Sequence, residues 1–280
     1  MKKTVTILSL LMVTSLMAQK FQGKAIYKTS MKMNFKMGGD RANAMSDDQK
    51  AKMNANLAKQ FQKTFVLTFD KVSSIYKEKK SLNAPVVRPK GGNMTFQVMG
   101  GGGGNDVYYK NIKENRFVNK TEIMGKLFLI KDKLTKYDWK LTSETKNIGV
   151  HTCYKATYTR QEDRTNMSVE NGEVTQKTEK VDVVTTAWYT PSIAVSNGPR
   201  GYNGLPGLIL ELREGNETII CSEIVMNPKD KITIEEPTKG KVVSQEKYRK
   251  IMDKKSKDMM EKFKSRRGSK GRNVEIMIGG

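Results

Sequence analysis

The chain has 280 residues, and 51 lysines and arginines against 29 aspartates and glutamates give it a formal net charge of +22. With one histidine and two cysteines, it lacks the four His and Cys ligands of a structural zinc site. A Ser-His-acid or Cys-His mechanism would have to use His151. Beyond the N-terminus, no stretch has the roughly 20 apolar residues that a membrane-spanning helix needs.

The N-terminus has the layout of a secretory signal peptide. Lys2 and Lys3 precede a mostly apolar run over 5–17, and the small residue Ala18 is followed by polar residues. We therefore expect cleavage after Ala18, which makes 1–18 a signal peptide and the protein an exported one. The alternative is a short buried helix. Export also argues against nucleic acid as a partner.

Cys153 and Cys221 are the only cysteines, and both lie in segments with strand character. An oxidising compartment allows a disulfide between them. The alternative is a pair of buried thiols, which behave as small apolar side chains.

The first predicted strand lies in residues 21–37, where Tyr27 and a series of apolar residues share one parity, namely Met31, Met33, Phe35 and Met37. The methionines could also be soft copper ligands. A half-buried strand face filled with methionine is the interpretation that we favour, and no metal or other cofactor is expected.

A helix is predicted over 47–62. Ser46 and Gln49 have the spacing of a capping box, and Met53, Leu57 and Phe61 follow at intervals of four residues. Period-two alternation then resumes over 65–69, and a strand at 75–76 is expected to pair with it.

Residues 81–105 change character, because they contain two prolines and many glycines, including five in a row at 100–104. Such a run loses too much backbone entropy to form a regular element, so we expect a mobile loop. A phosphate-binding loop is the alternative, but the Lys-Ser/Thr ending of that motif is missing.

From 106 to 235 the sequence predicts one short strand after another, at the spacing typical of antiparallel sheets. Asn171-Gly172 between two alternating polar segments predicts a long hairpin. No strand–helix–strand alternation is present, which argues against a parallel sheet. The fold class is therefore mainly β (α+β), a curved antiparallel sheet with one or two helices, in a single domain over 19–238. The predicted strands are 107–109, 116–118, 127–130, 137–141, 153–158, 181–184, 187–189, 208–212 and 218–221.

The C-terminal part, 239–280, is a basic tail. Residues 239–272 contain 14 lysines and arginines and four acids, a net charge of +10. Ser244 could cap a helix over 244–264 with a narrow apolar stripe of Tyr248, Met252, Met259 and Phe263, and we expect 266–280 to be disordered. The tail could contact an anionic membrane, or it could be a solvated basic helix.

One segment carries a sharp motif. Gly198-Pro199 precedes the run Gly204, Leu205, Pro206, Gly207, Leu208 and Ile209, which dictates a tight turn that leads into a strand. Pro206 fixes its own φ, and Gly207 can adopt the positive φ that a type II turn requires. We expect both residues to be structural, because neither side chain can transfer a proton, bind a metal or attack a substrate.

This segment resembles the signature of the GLPGLI family, an exported family of Gram-negative bacteria named for those six residues. The resemblance covers about residues 120–230. It includes Trp139-Lys140-Leu141, Cys153-Tyr154-Lys155-Ala156, Ala187-Trp188-Tyr189-Thr190-Pro191 and Ser196-Asn197-Gly198-Pro199, with a mild departure at Val150-His151-Thr152.

The resemblance implies no known activity and no catalytic residues, and it implies a location in the periplasm or at the outer membrane. At the level of fold, the pattern is similar to the half-barrel carriers that escort lipoproteins across the periplasm.

The functional expectation is a non-enzymatic binding protein for an apolar ligand or a peptide segment. Trp139, Trp188 and Tyr189 could line its ligand face, although such residues are also typical of a sheet core. A His151–Cys153 nucleophile pair is disfavoured, because neighbours on one strand rarely point at each other. The alternative is a structural or interaction protein of the cell envelope without a small ligand.

Overall fold

The computed structural model describes residues 21–31, 46–49, 51–52, 55, 62–79, 106–123, 125–170, 173–230, 232–266 and 276–278. The predicted signal peptide, the predicted loop over 81–105, and Met33, Phe35 and Met37 lie outside these residues. Within the described ranges, thirteen strands form a single sheet.

The elements follow one another along the chain with few interruptions. The first six strands are β1 (Gln22–Met31), β2 (Thr64–Asp70), β3 (Ser73–Glu78), β4 (Val107–Asn111), β5 (Arg116–Ile123) and β6 (Lys126–Lys133). The next five are β7 (Lys140–Ile148), β8 (His151–Glu170), β9 (Glu173–Thr190), β10 (Leu208–Glu214) and β11 (Glu217–Met226). The chain continues with β12 (Lys241–Val243), helix α1 (Gln245–Arg266) and β13 (Ile276–Ile278).

Two antiparallel meanders make up the sheet. Strands β1 to β6 pair in chain order, and so do β7 to β11, and the antiparallel pairing of β1 with β11 joins the two halves. Strand β12 pairs in parallel with β6, and β13 pairs with β8. The prediction of a mainly β, antiparallel, curved fold is confirmed, with one parallel pair at the β6 edge.

The strands differ from the prediction mostly at their ends. The hairpin around 171–172 is confirmed, since Glu170 pairs with Glu173, but the two predicted strands over 181–189 are parts of the single strand β9. Strand β7 begins at Lys140 rather than at 137. Of the end predicted to be disordered, over 266–280, the structure describes Arg266 in α1 and Ile276–Ile278 in β13, and the rest lies outside the described residues.

Most of the core lies on one face of the sheet, which we call the inner face. A smaller cluster of Tyr109, Val118 and Leu129, with Ile234 packed against it, lies on the opposite face at β4 to β6. Alternate residues of β1 are buried on the inner face, and the register places Ala25 opposite Leu67 and Tyr27 opposite Phe65. Ala25, Tyr27, Leu67 and Phe69 are fully buried. Each large side chain removed from water in this way contributes about 1.5–3 kcal/mol to folding.

The segment 191–207, between β9 and β10, crosses the inner face. It adds Ile193, Val195 and Leu205 to the core. It also hydrogen bonds to Lys110 of β4 and to Glu214 of β10, although four strands lie between β4 and β10 in the sheet. One short segment can reach both strands only because the sheet is curved.

Helix α1 is fastened to the sheet at its N-terminus. The Ser244 hydroxyl accepts a hydrogen bond from the Lys247 N–H at 3.2 Å, and the Asp132 carboxylate of β6 accepts one from the Gln245 N–H at 3.0 Å. A carboxylate at this end is favoured by the helix dipole. The Tyr248 ring packs edge-on against Phe128 with centroids 5.9 Å apart, so the expected Ser244 cap and part of the apolar stripe are confirmed.

The helix predicted over 47–62 is described only in part. Residues 47–49, 51–52 and 55 are helical. The Ser46 N–H donates to the Gln49 side chain at 3.0 Å, and the Gln49 N–H donates to the Ser46 hydroxyl at 3.3 Å, which confirms the capping box. Among the described residues, no helix is long and apolar enough to cross a membrane.

We expect Tyr248→Ala to lower the free energy of unfolding by about 1–2 kcal/mol, because the half-buried ring packs against the sheet. Lys255→Ala, an exposed position of the same helix, should change it by less than about 0.5 kcal/mol. Urea denaturation of the full chain measures both. Equal stability of the two variants would show that α1 is not part of the core.

Candidate functional site

The motif turn is built on close backbone approaches. At Gly207 a Cβ atom would lie 2.2 Å from the Thr190 carbonyl oxygen, and at Gly198 it would lie 2.8 Å from Ile209. Only glycine allows the two chain segments to meet at these points. Leu205, Leu208 and Ile209 are buried, whereas Pro206 is exposed.

Backbone hydrogen bonds hold the same turn in place. The Leu208 N–H donates to the Ile193 carbonyl at 3.1 Å, and the Ile209 N–H donates to the Asn197 carbonyl at 2.9 Å. The Tyr27 hydroxyl donates to the Ile209 carbonyl at 2.7 Å and ties the turn to β1. The geometry of Gly207 and the exposure of Pro206 agree with the structural role that the sequence predicts for them.

Lys110 is fully buried beneath the motif segment. Its Nζ donates hydrogen bonds to the Gly198 carbonyl at 2.7 Å and to the Tyr202 carbonyl at 3.0 Å. Burial lowers the pKa of this amine well below its usual value. Both carbonyls therefore accept a hydrogen bond from an amine that is shielded from water.

Four aromatic side chains lie together beside the segment. Tyr137 stacks on Tyr202 with centroids 5.0 Å apart and meets Tyr158 edge-on at 5.2 Å. Trp139 lies 6.0 Å from Tyr158 and 6.2 Å from Tyr202, and its indole N–H donates to the Asn203 carbonyl at 2.9 Å. All four are partly exposed.

A charged network adjoins this cluster. Arg160 donates two hydrogen bonds to Glu214, at 2.7 and 3.0 Å, and the Tyr202 hydroxyl donates to the same carboxylate at 2.8 Å. Burial alone would raise the pKa of Glu214, but the hydrogen bonds from Arg160, Thr185 and Tyr202 outweigh it and lower that pKa to about 2. The Glu214 carboxylate is therefore ionised at neutral pH, and both of its oxygens accept hydrogen bonds from protein side chains.

The aromatic cluster continues along the inner face towards α1. Gly201 lies between two rings, since a Cβ there would be 2.8 Å from the Tyr108 hydroxyl and 3.7 Å from that of Tyr137. Tyr108 in turn stacks on Phe117 at 5.1 Å. We call this series the aromatic track, and its members are Trp139, Tyr202, Tyr137, Tyr108, Phe117 and Phe128.

The three residues predicted to line a ligand face do not share one face. Trp139 belongs to the aromatic track, and Tyr189 is buried beside Tyr154 at 6.1 Å. Trp188 precedes Tyr189 on β9, so it points to the opposite side of the sheet, where the Lys146 Nζ lies 4.3 Å from its ring centroid. Trp188 therefore lies apart from Trp139, and the ligand face stays a prediction.

The disulfide that the sequence allows is not formed. Cys153 and Cys221 are free, buried thiols, and β9 and β10 separate their strands in the sheet. Burial raises the pKa of Cys153 to about 11 and that of Cys221 to about 12, so both thiols stay protonated at neutral pH. The Nδ1 of His151 lies 3.1 Å from the Ser192 hydroxyl, and the Cys153 thiol donates to the His151 carbonyl at 3.6 Å.

The part of the chain that the structure describes contains no group of three or more His, Cys, Asp or Glu side chains placed to hold a metal ion. No sequence pattern pointed to Lys110, Tyr137, Tyr158, Arg160, Tyr202 or Glu214 as residues of a site.

Comparisons with known proteins give a family match over part of the chain and no activity. Residues 139–211 match a family model described as a protein of unknown function, Porph_ging. That span begins at Trp139 and includes the whole motif turn. No curated protein matches the chain.

Two solved structures of PNGF-II, in the C2 and P21 space groups, share 14% and 13% sequence identity with the chain, each with a TM-score of 0.47. The alignments cover 84% of this chain and only 33% and 34% of the PNGF-II chains.

We expect Gly207→Ala to destabilise the protein by about 2–4 kcal/mol, because the methyl group would overlap the Thr190 carbonyl. Gly215→Ala is the control: it also has a positive φ, of 54°, but nothing lies within 4 Å of the added Cβ. It should cost only about 1 kcal/mol. Thermal melts of both variants test this, and equal losses would mean that contact with Thr190 is unimportant.

Lys110→Met should reveal the protonation state of the buried amine. The folded pKa lies below the unfolded value of about 10.4, so between the two the unfolded chain binds a proton that the folded protein does not. The stability of the wild type relative to Lys110→Met should therefore rise with pH from 7 to 9, by up to about 1.4 kcal/mol per pH unit. Denaturation at pH 7, 8 and 9 measures the difference. A flat difference, like that expected for exposed Lys113→Met, would show a charged Lys110.

Proposed function

We propose that the chain is an exported, non-enzymatic binding protein of the GLPGLI type, which holds an apolar ligand or a peptide segment against the inner face of its curved sheet. One observation carries this proposal: the inner face holds a peptide segment of its own. At the β6 end of the aromatic track, Tyr248 and Ile251 of α1 pack against an apolar surface formed by Phe117, Phe128, Ile130, Leu134 and Val243.

The partly exposed rings of the track support an apolar ligand. Tyr108, Tyr137, Trp139 and Tyr202 each keep some accessible surface although they lie in a row inside the sheet. Rings of this kind supply a large contact area and a polar edge. A ligand lying along them would gain affinity from burial of apolar surface.

The polar groups beside the track support binding rather than catalysis. Glu214 is held by Arg160 and Tyr202, and Lys110 donates to two backbone carbonyls. A general acid or base needs a proton that can move and a pKa near the working pH. The pKa of Glu214, at about 2, is far from that range. Export rests on residues 1–18, and we propose a location in the periplasm or at the outer membrane of a Gram-negative bacterium.

The two tryptophans provide a matched test. In Trp188→Phe the remaining indole, Trp139, lies in the track, and in Trp139→Phe the remaining indole, Trp188, lies on the other side of the sheet. Titration with dibromostearate, whose bromine atoms quench indole fluorescence at short range, should give saturable quenching of Trp139 and little quenching of Trp188.

Equal quenching of both indoles would indicate nonspecific association, and no saturable quenching of Trp139 would overturn binding of an acyl chain at the track. Native mass spectrometry of the protein purified from its own envelope then separates a lipid from a peptide. A protein that carries neither under mild conditions would contradict the proposal.

The long hairpin favours a second candidate, an interaction protein of the cell envelope without a small ligand. Strands β8 and β9 pair as far as Glu170 and Glu173, whereas β7 follows β8 only to Thr157 and β10 follows β9 only to Thr185. Beyond these points the ribbon extends for about 40 Å. A photo-crosslinker at exposed Asp163 that captures one dominant membrane protein, together with unquenched Trp139, would favour this candidate.

A further inference from the structure

A buried carboxylate oxygen without a partner lies close to the surface on which α1 packs. Asp106 directly precedes β4, and its Oδ1 is buried with no hydrogen-bond partner. Because Val107 pairs with Lys120, the β4–β5 register places Asp106 beside Thr121, which is itself buried. Thr121 pairs with Phe128 of β6, on which the Tyr248 ring of α1 packs. Asp106 is therefore next to the part of the sheet that α1 covers.

The surroundings of Asp106 favour its neutral form. Burial is the main cause that raises its pKa to about 6. The hydrogen bond from Thr121 and the charge of Lys63 act in the opposite direction, whereas Glu78 and Glu122 raise the pKa further. Lys63 compensates little, because its Nζ is paired with Glu78 at 3.0 Å. From α1, the titratable group that faces Asp106 is the Tyr248 phenol.

The attachment of α1 is local. The contacts described for it lie in its first two turns: the Gln245 N–H bonds to Asp132, and Tyr248 and Ile251 pack on the sheet. A surface helix whose described contacts with the sheet lie at one end is the kind of element that opens locally before the rest of a domain unfolds. When it is released, water reaches both the apolar surface and Asp106.

We propose that α1 is an internal occupant of the aromatic track, docked over its β6 end when Asp106 is neutral and loosened when Asp106 is ionised. This inference rests on the proposed function, since α1 competes for the surface that a ligand would use. Release exposes Tyr248 and Ile251 to water, which is unfavourable. It also exposes the ionised carboxylate of Asp106 to water, which is favourable.

The direction of the pH dependence follows from linkage. With α1 docked, the pKa of Asp106 is about 6, and with α1 released we take it to return to the ordinary value of about 3.9. Docking is therefore strongest below about pH 4, weakens as the pH rises towards 6, and is constant above that. At neutral pH the helix is in its weakened state, ready to be displaced.

Hydrogen–deuterium exchange of the full chain reads the helix directly, without any ligand. Exchange times are scaled for the intrinsic rate at each pH from 4.5 to 7.5, and peptides covering 245–252 are followed. In the wild type, protection of these amides should fall by about 10- to 30-fold across this range, because part of the two-unit difference in pKa lies below pH 4.5.

Two variants and one control make the result specific. Asp106→Asn imitates the neutral carboxyl, so protection should be high and independent of pH. Tyr248→Ala removes the ring that packs on Phe128, so both the protection and its pH dependence should decrease. Asp182→Asn, an exposed change on β9, should behave like the wild type.

The inference is overturned if protection in the wild type does not change with pH, or if it changes equally in Asp106→Asn. It fails separately from the proposed function, because exchange is measured without dibromostearate. If protection of α1 depends on pH but Trp139 is not quenched, the pH-dependent docking of α1 stands and binding of an acyl chain is rejected. If Trp139 is quenched but protection of α1 does not depend on pH, the binding stands and the pH-dependent docking is rejected.

Discussion

The Lys110 amine is the contact on which the inside of the sheet depends. It stands on β4 and donates to the carbonyls of Gly198 and Tyr202, so it holds the crossing segment down in the middle of its span. Without that donor two carbonyls would be buried with no partner, at a cost of about 1–3 kcal/mol each. The same contact brings β4 close to a segment that also bonds to β10, and it thereby helps to set the curvature.

The contact of Lys110 with the crossing segment explains why glycines are needed around it. A segment pulled onto a packed sheet must approach other backbone and ring atoms closely, and Gly198, Gly201 and Gly207 are the points where it touches Ile209, Tyr108 and Thr190. Pro206 needs no donor, because it faces outwards between the buried Leu205 and Gly207. The six-residue motif therefore allows a segment to cross the sheet in close contact with it, and its role is steric rather than chemical.

Local signals in the sequence predicted most of the strands, the Ser46 and Ser244 caps, and the structural role of the motif turn. Period-two alternation depends on neighbours along the chain, so it is visible without a structure. The pairing of strands depends on residues far apart in the chain, as in the pairing of Tyr27 with Cys221, so no local sequence pattern predicts it. The same applies to Lys110, one of 51 basic residues, whose burial depends on the segment 191–207.

The errors in the candidate site have the same origin. Two cysteines on strands suggested a bridge, but Cys153 and Cys221 are free thiols on strands that do not pair with each other. Once the site is assembled, its polar groups are engaged with one another, as Glu214 is with Arg160 and Tyr202. Such a surface offers an incoming molecule few free donors or acceptors. Selection along the track would therefore depend on apolar shape and on displacing α1, and a ligand rich in hydroxyl or charged groups would lose its hydration without gaining partners.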